Sequence, residues 1–234
     1  TEVQIEARIG LGQIYDALGD WETGARFHYD AGKLLEKFDR PYLKSKQAIN
    51  LGVNSLNMGQ IELAHDLFTQ ARQQAERGGI KEYIAEAHWH LGTIAQRLGQ
   101  TEEAVIEIET ATRLAKSCGY EWLLGMAANS LGAIHSEQGN LETAIEVFLD
   151  ALEHAERIGS RHQRAHCCDA LSHLYERQGE PLKALDYARR HHQINAEIAE
   201  LTVVDKFREL REYDLSRKPP VELLLDLSSD SQLE

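Results

Sequence analysis

The chain is 234 residues long, 42% hydrophobic and 27% charged, with 25 Lys and Arg against 38 Asp and Glu and a formal net charge of -13. That balance argues against nucleic acid as a partner, because affinity for a phosphate backbone comes from clustered cations, and it disfavours an anionic membrane surface. Three cysteines, two of them adjacent, form no disulfide framework, and no apolar run approaches the ~18 residues that span a bilayer, so a reducing, cytoplasmic setting without membrane contact is expected.

In chain order, an amphipathic helix around Leu11-Gly12 stops at Gly19, and a second helix after Asp20 runs to a break near Asp39. The same events return at Leu51-Gly52, Leu91-Gly92, Leu131-Gly132 and Leu171-Ser172, and the stops return at Gly59, Gly99, Gly139 and Gly179. The half-repeat breaks return at Gly79, Gly119 and Gly159. Five units phase-locked at a step of 40 residues mean one supersecondary element stacked five times. In the third unit Ile84, Ala87, Leu91, Ile94 and Leu98 recur at helical spacing, and Gly99 supplies the left-handed residue after the helix end. Thr101-Glu102-Glu103 then offers an early hydroxyl and carboxylates to the positive end of the next helix.

Small residues mark where helices approach closely. Gly12, Gly52, Gly92 and Gly132 face Gly24, Ala64, Ala104, Ala144 and Ala184 within units, and Ala31, Ala71, Ala111 and Ala151 meet the following unit until His191 breaks the column. The units fall at about 1–39, 40–79, 80–119, 120–159 and 160–195. From Leu182 the helical pattern continues to about Leu215 without glycine or proline, giving an exit helix over 196–217, and Pro219-Pro220 stops it. Its stripe of Ile194, Ile198, Leu201, Val204, Phe207 and Leu210 suits either a cap on unit five or the seam of a homodimer. Residues 218–234 read as a tail or the start of a further domain.

These residues resemble the tetratricopeptide repeat family, in which Leu-Gly is followed by an aromatic three residues on and then by Ala-x-x-x-Phe. Leu11-Gly12-Gln13-Ile14-Tyr15, Ala64 with Phe68, and Ala144 with Phe148 carry the likeness. The family's early Trp is replaced by Arg8, Ala48, His88, Ala128 and Cys168, and its closing Pro is absent. The 40-residue step is similar to the long repeats of Pins-type adaptors, Rap-type regulators and the N-terminal regions of bacterial signalling proteins. The resemblance implies an all-α, right-handed α-solenoid of five helix-turn-helix repeats plus a long C-terminal helix. It also implies a non-catalytic protein-interaction module, the regulatory or sensor region of a larger bacterial signalling protein; the alternative is a stand-alone adaptor. Thr1 inside a helical pattern fits a piece of a longer chain. The family's carboxylate clamp is not carried over, since the matching positions hold Ile9, Gln13, Glu86 and His90.

Positions six and three before the Gly12-type residue, and one and four after it, fall on the helix face opposite the packing face. They are expected to line a concave groove with Ile49, Val53, Leu56, Trp89, Thr93, Gln96, Met126, Asn129, His166, Asp169 and His173. So many apolar groups on an inner face point to a bound protein or peptide, or an attached domain of the same chain, with Trp89 as the anchor. The competing reading is that these side chains pack on neighbouring first helices. In unit five, His162, His166, Asp169 and His173 share a helix face and are chemically suited to a metal, the basis of a third reading as a metal-dependent activity. Spread over about 16 Å of helix they cannot all reach one ion, so neither metal nor cofactor is expected. Cys167 and Cys168 read as small packing residues. There is neither a phosphate-cradling glycine loop nor a nucleophile with its base, and no enzyme is expected.

Overall fold

Regular glycine stops and three-to-four-residue apolar spacing produce ten helices among the residues the structure, a computed structural model, describes (2–200). They are α1 (Glu2–Ala17), α2 (Trp21–Leu35), α3 (Pro41–Asn57), α4 (Ile61–Gly78), α5 (Lys81–Arg97), α6 (Thr101–Cys118), α7 (Glu121–Glu137), α8 (Leu141–Arg157), α9 (Arg161–Gln178) and α10 (Pro181–Glu200). No strand occurs among the described residues, and the fold is an all-α solenoid of helix pairs. The chain divides into two compact units, Thr1–Ile194 and Asn195–Glu234, and the repeat array lies in the first. No helix among the described residues is long and apolar enough to cross a membrane.

Each turn has a local cause. Gly99 after α5 holds φ at 75°, in the left-handed region that a side chain resists, and its N–H donates back to the Gln96 carbonyl at 3.0 Å. Asp20 caps α2 through a bond from the Thr23 N–H at 3.1 Å, and Pro41 opens α3 where its missing N–H costs nothing. Thr101 is not a cap: Gln100 occupies that position before α6 and makes no side-chain cap bond.

Within a unit, a bulky side chain of the second helix lies on the bare backbone of the first. A Cβ at Gly12 would stand 2.4 Å from His28, at Gly52 2.7 Å from Phe68, at Gly92 2.6 Å from Ile108 and at Gly132 2.7 Å from Phe148. His28, Phe68 and Ile108 are fully buried there. In unit five the pairing changes: Ser172 replaces glycine, its hydroxyl donates to the Ala184 carbonyl at 3.0 Å, and the facing position is Ala188. Histidine–carboxylate pairs add to the joints, His88 with Glu107 and His154 with Glu121, and these hydrogen bonds hold both carboxyls below the usual glutamate range.

Between units, α1, α3, α5 and α7 each pack on the next odd-numbered helix, whereas the backbones of α2, α4, α6 and α8 stay apart and only long side chains bridge them, as Arg72 of α4 reaches Glu107 of α6 at 3.8 Å. A stack joined on one side and splayed on the other curves with the odd-numbered helices on its inner face. At the α5–α7 and α7–α9 joints a stagger of one repeat plus one residue recurs: Trp89 reaches Ser130, Gln96 reaches Glu137, Gln163 reaches the Trp122 carbonyl and Arg177 reaches Ser136, all 41 residues apart.

The last described helix closes against unit five through Tyr175 on Tyr187, ring centroids 5.6 Å apart, and through His191 Nδ1 at 3.1 Å from Asp169 Oδ1. Ile194 of the expected exit stripe is buried and Ile198 is half-buried. Leu201, Val204, Phe207 and Leu210 lie outside the described residues, as do most of the proposed homodimer seam and the 218–234 segment.

Unit one carries a polar variant of the joint. Asp16 accepts a 2.8 Å bond from Asn54 Nδ2 and lies 2.9 Å from His28 Nε2, while the other ring nitrogen of His28 is buried without a partner. Gly24 stands where the other units have Ala because a Cβ there would lie 1.9 Å from Asp16 Oδ1. Glycine to alanine ordinarily gains about 1 kcal/mol in a helix. Here it displaces the partner of two buried groups, at about 1–3 kcal/mol each. Gly24→Ala is therefore expected to destabilise the chain by about 2 kcal/mol in denaturant unfolding. In an Asp16→Ala/Asn54→Ala background, where both side chains that meet the new Cβ are gone, the same change should instead stabilise by about 1 kcal/mol.

Candidate functional site

The inner face is filled over its first half and opens toward its second. Ile49 is buried, and Val53 and Leu56 pack half-buried against the cluster of Ala64, Phe68, Leu91 and Ile94. Trp89 is only 8% exposed: its indole N–H donates to Ser130 Oγ at 2.9 Å, and its ring meets Trp122 edge-on at 5.8 Å. The expectation of a free tryptophan anchor and an oily open groove is corrected for these four residues. The 41-residue stagger sets the next inner helix directly over them, and they serve as inter-unit packing.

Farther along, the inner face does open. Gln96, Met126, Asn129, Ser130, His162 and His166 line a cleft of about 350 Å³ between α5, α7 and α9, with Ala133 on its wall. Four of these six are inner-face positions expected from the sequence. Asn129 is itself buried and accepts the Cys167 thiol hydrogen at 3.0 Å, while Met126 leans on the Trp89 cluster. Thr93 is half-buried and bonds back to the His90 carbonyl at 2.7 Å. The cleft therefore combines an apolar floor with amide, hydroxyl and imidazole groups, and its lining carries no carboxylate.

Asp169 and His173 lie outside this cleft on the exposed part of α9, where His173 Nδ1 is 2.9 Å from the Asp169 carbonyl. No three His, Cys, Asp or Glu side chains among the described residues are placed to hold one metal ion. Cys167 and Cys168 are both buried, and burial pushes the Cys167 thiol up to about 12, so the pair packs as neutral thiols.

Aromatic rings form a continuous run from Phe68 of α4 across α5 to the start of α7. His90 stacks on Phe68 at 4.2 Å, Trp89 tilts against His90 at 4.5 Å, and Tyr120 lies 5.7 Å from Trp122. Burial drives His90 down to about 3, so at the position where the family's clamp would hold a basic residue this ring is neutral. Beside the run stands Glu86, which accepts from the Tyr120 hydroxyl at 3.3 Å and is pushed up to about 7 by burial, with that hydrogen bond opposing the shift. The tyrosines around it went unread in the sequence because Tyr42, Tyr83 and Tyr120 sit at different phases of the repeat. Only the stagger between helices brings them together.

The splayed outer side carries larger openings, about 920 Å³ between α2 and α4 and about 740 Å³ between α4 and α6. They follow from the separation of even-numbered helices, so their size alone is no argument for a ligand.

Residues 85–118 and 123–197 each match a family model described as Tetratricopeptide repeat. Among solved structures, a Rap protein complexed with competence and sporulation factor is similar with a TM-score of 0.76 and 15% identity, over 89% of this chain and 58% of that one. The Rap conjugation gene regulator of plasmid pLS20, in complex with the Phr* peptide, is similar with a TM-score of 0.73 and 16% identity, over 89% and 57% of the two chains. BtubC (BKLC) from P. vanneervenii gives a TM-score of 0.68 and 17% identity, over 83% and 81%. The likeness at these identities is one of fold, and the chain spans somewhat over half the length of the two Rap chains.

Two substitutions probe this face. Trp89→Ala removes a buried ring and the Ser130 contact, and is expected to cost about 3–5 kcal/mol in denaturant unfolding. Glu86→Gln should do the opposite. A carboxyl whose folded value lies above its unfolded one favours folding at low pH, and this advantage is lost as pH rises from about 4.5 through about 7. The glutamine variant should therefore be more stable than wild type by about 2 kcal/mol at pH 8 and equal to it at pH 4, measured by thermal unfolding at both.

Proposed function

From a chain that carries tetratricopeptide repeats, we infer a recognition module that performs no chemistry of its own and holds a peptide, or a segment of a neighbouring domain, on the inner face of its second half. The observation that carries this reading is the cleft between α5, α7 and α9, where Met126 offers an apolar floor and Gln96, Asn129 and Ser130 offer amide and hydroxyl groups. A peptide needs both: apolar contact for its side chains and fixed polar groups for its backbone. Packed helices on three sides preorganise those groups and lower the ordering cost of binding. Two structures of similar fold are described as complexes with a peptide or with competence and sporulation factor, which supports peptide as the class of partner. In this reading the module is the regulatory region of a bacterial signalling protein, and occupancy of the cleft fixes the angle between successive inner helices.

Ala133 on the cleft wall gives a test. Peptides selected from a displayed random library against the wild-type chain should bind Ala133→Arg at least roughly tenfold more weakly, because the long side chain fills the cleft. Leu63→Arg, a change at an exposed position on the outer face, should leave their affinity unchanged. Selected peptides that bind all three proteins equally would place recognition elsewhere.

A further inference from the structure

We propose that Glu86, with Tyr42, Tyr83, Tyr120 and Trp122 around it, is a receptor for an organic cation, the alkylammonium or guanidinium group that a Lys or Arg side chain presents. The parts come from three successive inner elements: Tyr42 from α3, Tyr83 and Glu86 from α5, and Tyr120 with Trp122 from the start of α7. Tyr42 and Tyr83 stand 41 residues apart, as at the other inter-unit joints, and their rings lie 5.2 Å apart at 41°. The Tyr83 hydroxyl lies in the field of Tyr42, Glu86 and Tyr120. Tyr83 and Tyr120 thus both act on one carboxyl, and Tyr42 adjoins it through the Tyr83 ring.

The electrostatics select the ligand. Among the described residues the Tyr120 hydroxyl is the one donor to Glu86, at 3.3 Å, and no Lys or Arg is among the groups acting on this carboxyl. The other carboxylate oxygen has no donor among the described residues, and it is not sealed off from solvent either. A carboxyl set among aromatic rings without a counter-charge costs stability, since burial disfavours its ionised form. An anion would be repelled, and a neutral apolar ligand would deepen the desolvation without pairing the charge. A cation meets both needs, an ion pair with Glu86 and the negative faces of the surrounding rings. The chain's net charge of -13 draws such a ligand in.

As a Lys or Arg side chain of a bound peptide, this cation deepens the peptide-recognition reading and rests on it. As a free amine it stands independently. Burial raises all the phenols whose shifts are resolved here, Tyr83 and Tyr120, so they stay neutral and Glu86 is the group that titrates near pH 7. Among the described residues the other titratable groups acting on these phenols are the Cys118 thiol and Glu82, both through Tyr120.

The test follows the indole N–H resonances of the full chain at pH 8, with Trp89 and Trp122 as reporters and Trp21, in unit one, as internal control. Titration with n-butylammonium and with butylguanidinium should shift the two reporters saturably and leave Trp21 fixed, while 1-pentanol should shift none. Glu86→Gln, which is expected to fold more stably than wild type, should weaken the response at least about tenfold. Glu103→Gln, a change on the outer face, should not. Affinity should fall at pH 5.5, where Glu86 is protonated. Equal responses from pentanol and butylammonium, or undiminished binding by Glu86→Gln, would overturn the proposal. The pentapeptide acetyl-Ala-Ala-Arg-Ala-Ala-amide separates the sources: tighter binding than butylguanidinium assigns the site to a peptide side chain, and equal binding assigns it to a free cation. Ala133→Arg leaves the butylammonium response intact, so loss of the cleft and loss of the cation site are read separately.

Discussion

Close contact between a bare helix backbone and one bulky side chain holds each repeat together. Gly52 beneath Phe68, Gly92 beneath Ile108 and Gly132 beneath Phe148 bring the two helices of a unit nearer than any side chain on the first would permit. The flanking alanines, Ala64, Ala104 and Ala144, are fully buried and close the same joint from the other side. Because the joints are equivalent, successive pairs present the same surfaces to one another, and a regular stack results. The inner cleft and the aromatic run are both consequences of that stack.

This architecture was almost wholly legible in the sequence. Helix count, turn positions and the small-residue columns follow from residues whose roles are local, such as Gly99 ending α5, and local roles survive any tertiary arrangement. The inner face was legible only in part. Helical phase says which way Trp89 points from its own axis, and it does point inward. It does not say what stands opposite, because that depends on how far each helix is displaced along its neighbour. With the displacement at 41 residues, Trp89 meets Ser130 and is covered, whereas Gln96, Met126 and Asn129 border an opening. The convergence of Tyr42, Tyr83 and Tyr120 was hidden for the same reason.

Polar groups are concentrated where the hydrophobic pattern departs from its own average. Unit one places His28 where units two to four have Phe or Ile, and surrounds it with Asp16, Asn54 and Gln47, whose amide donates to the His28 carbonyl at 2.9 Å. A buried network of this kind fixes one arrangement of α1, α2 and α3, since any slip leaves several groups unpaired. Glu86 is the contrary case. Its surroundings oppose its charge, so it lowers stability above neutral pH where the unit-one network raises it.

The stagger between inner helices belongs to the joint and not to any one rod. From α3 to α9 a residue meets a counterpart one period and one position later at each successive joint. Addition or loss of a whole period therefore leaves every surviving joint in register, while a single inserted residue within a helix would rotate all that follows by about 100° about that axis. Growth of such a chain is quantised: tandem duplication lengthens the curve at no cost to its existing joints, and piecemeal lengthening does not. Variation in the number of units is thus the inexpensive way for a lineage of such arrays to change the span of what it can hold.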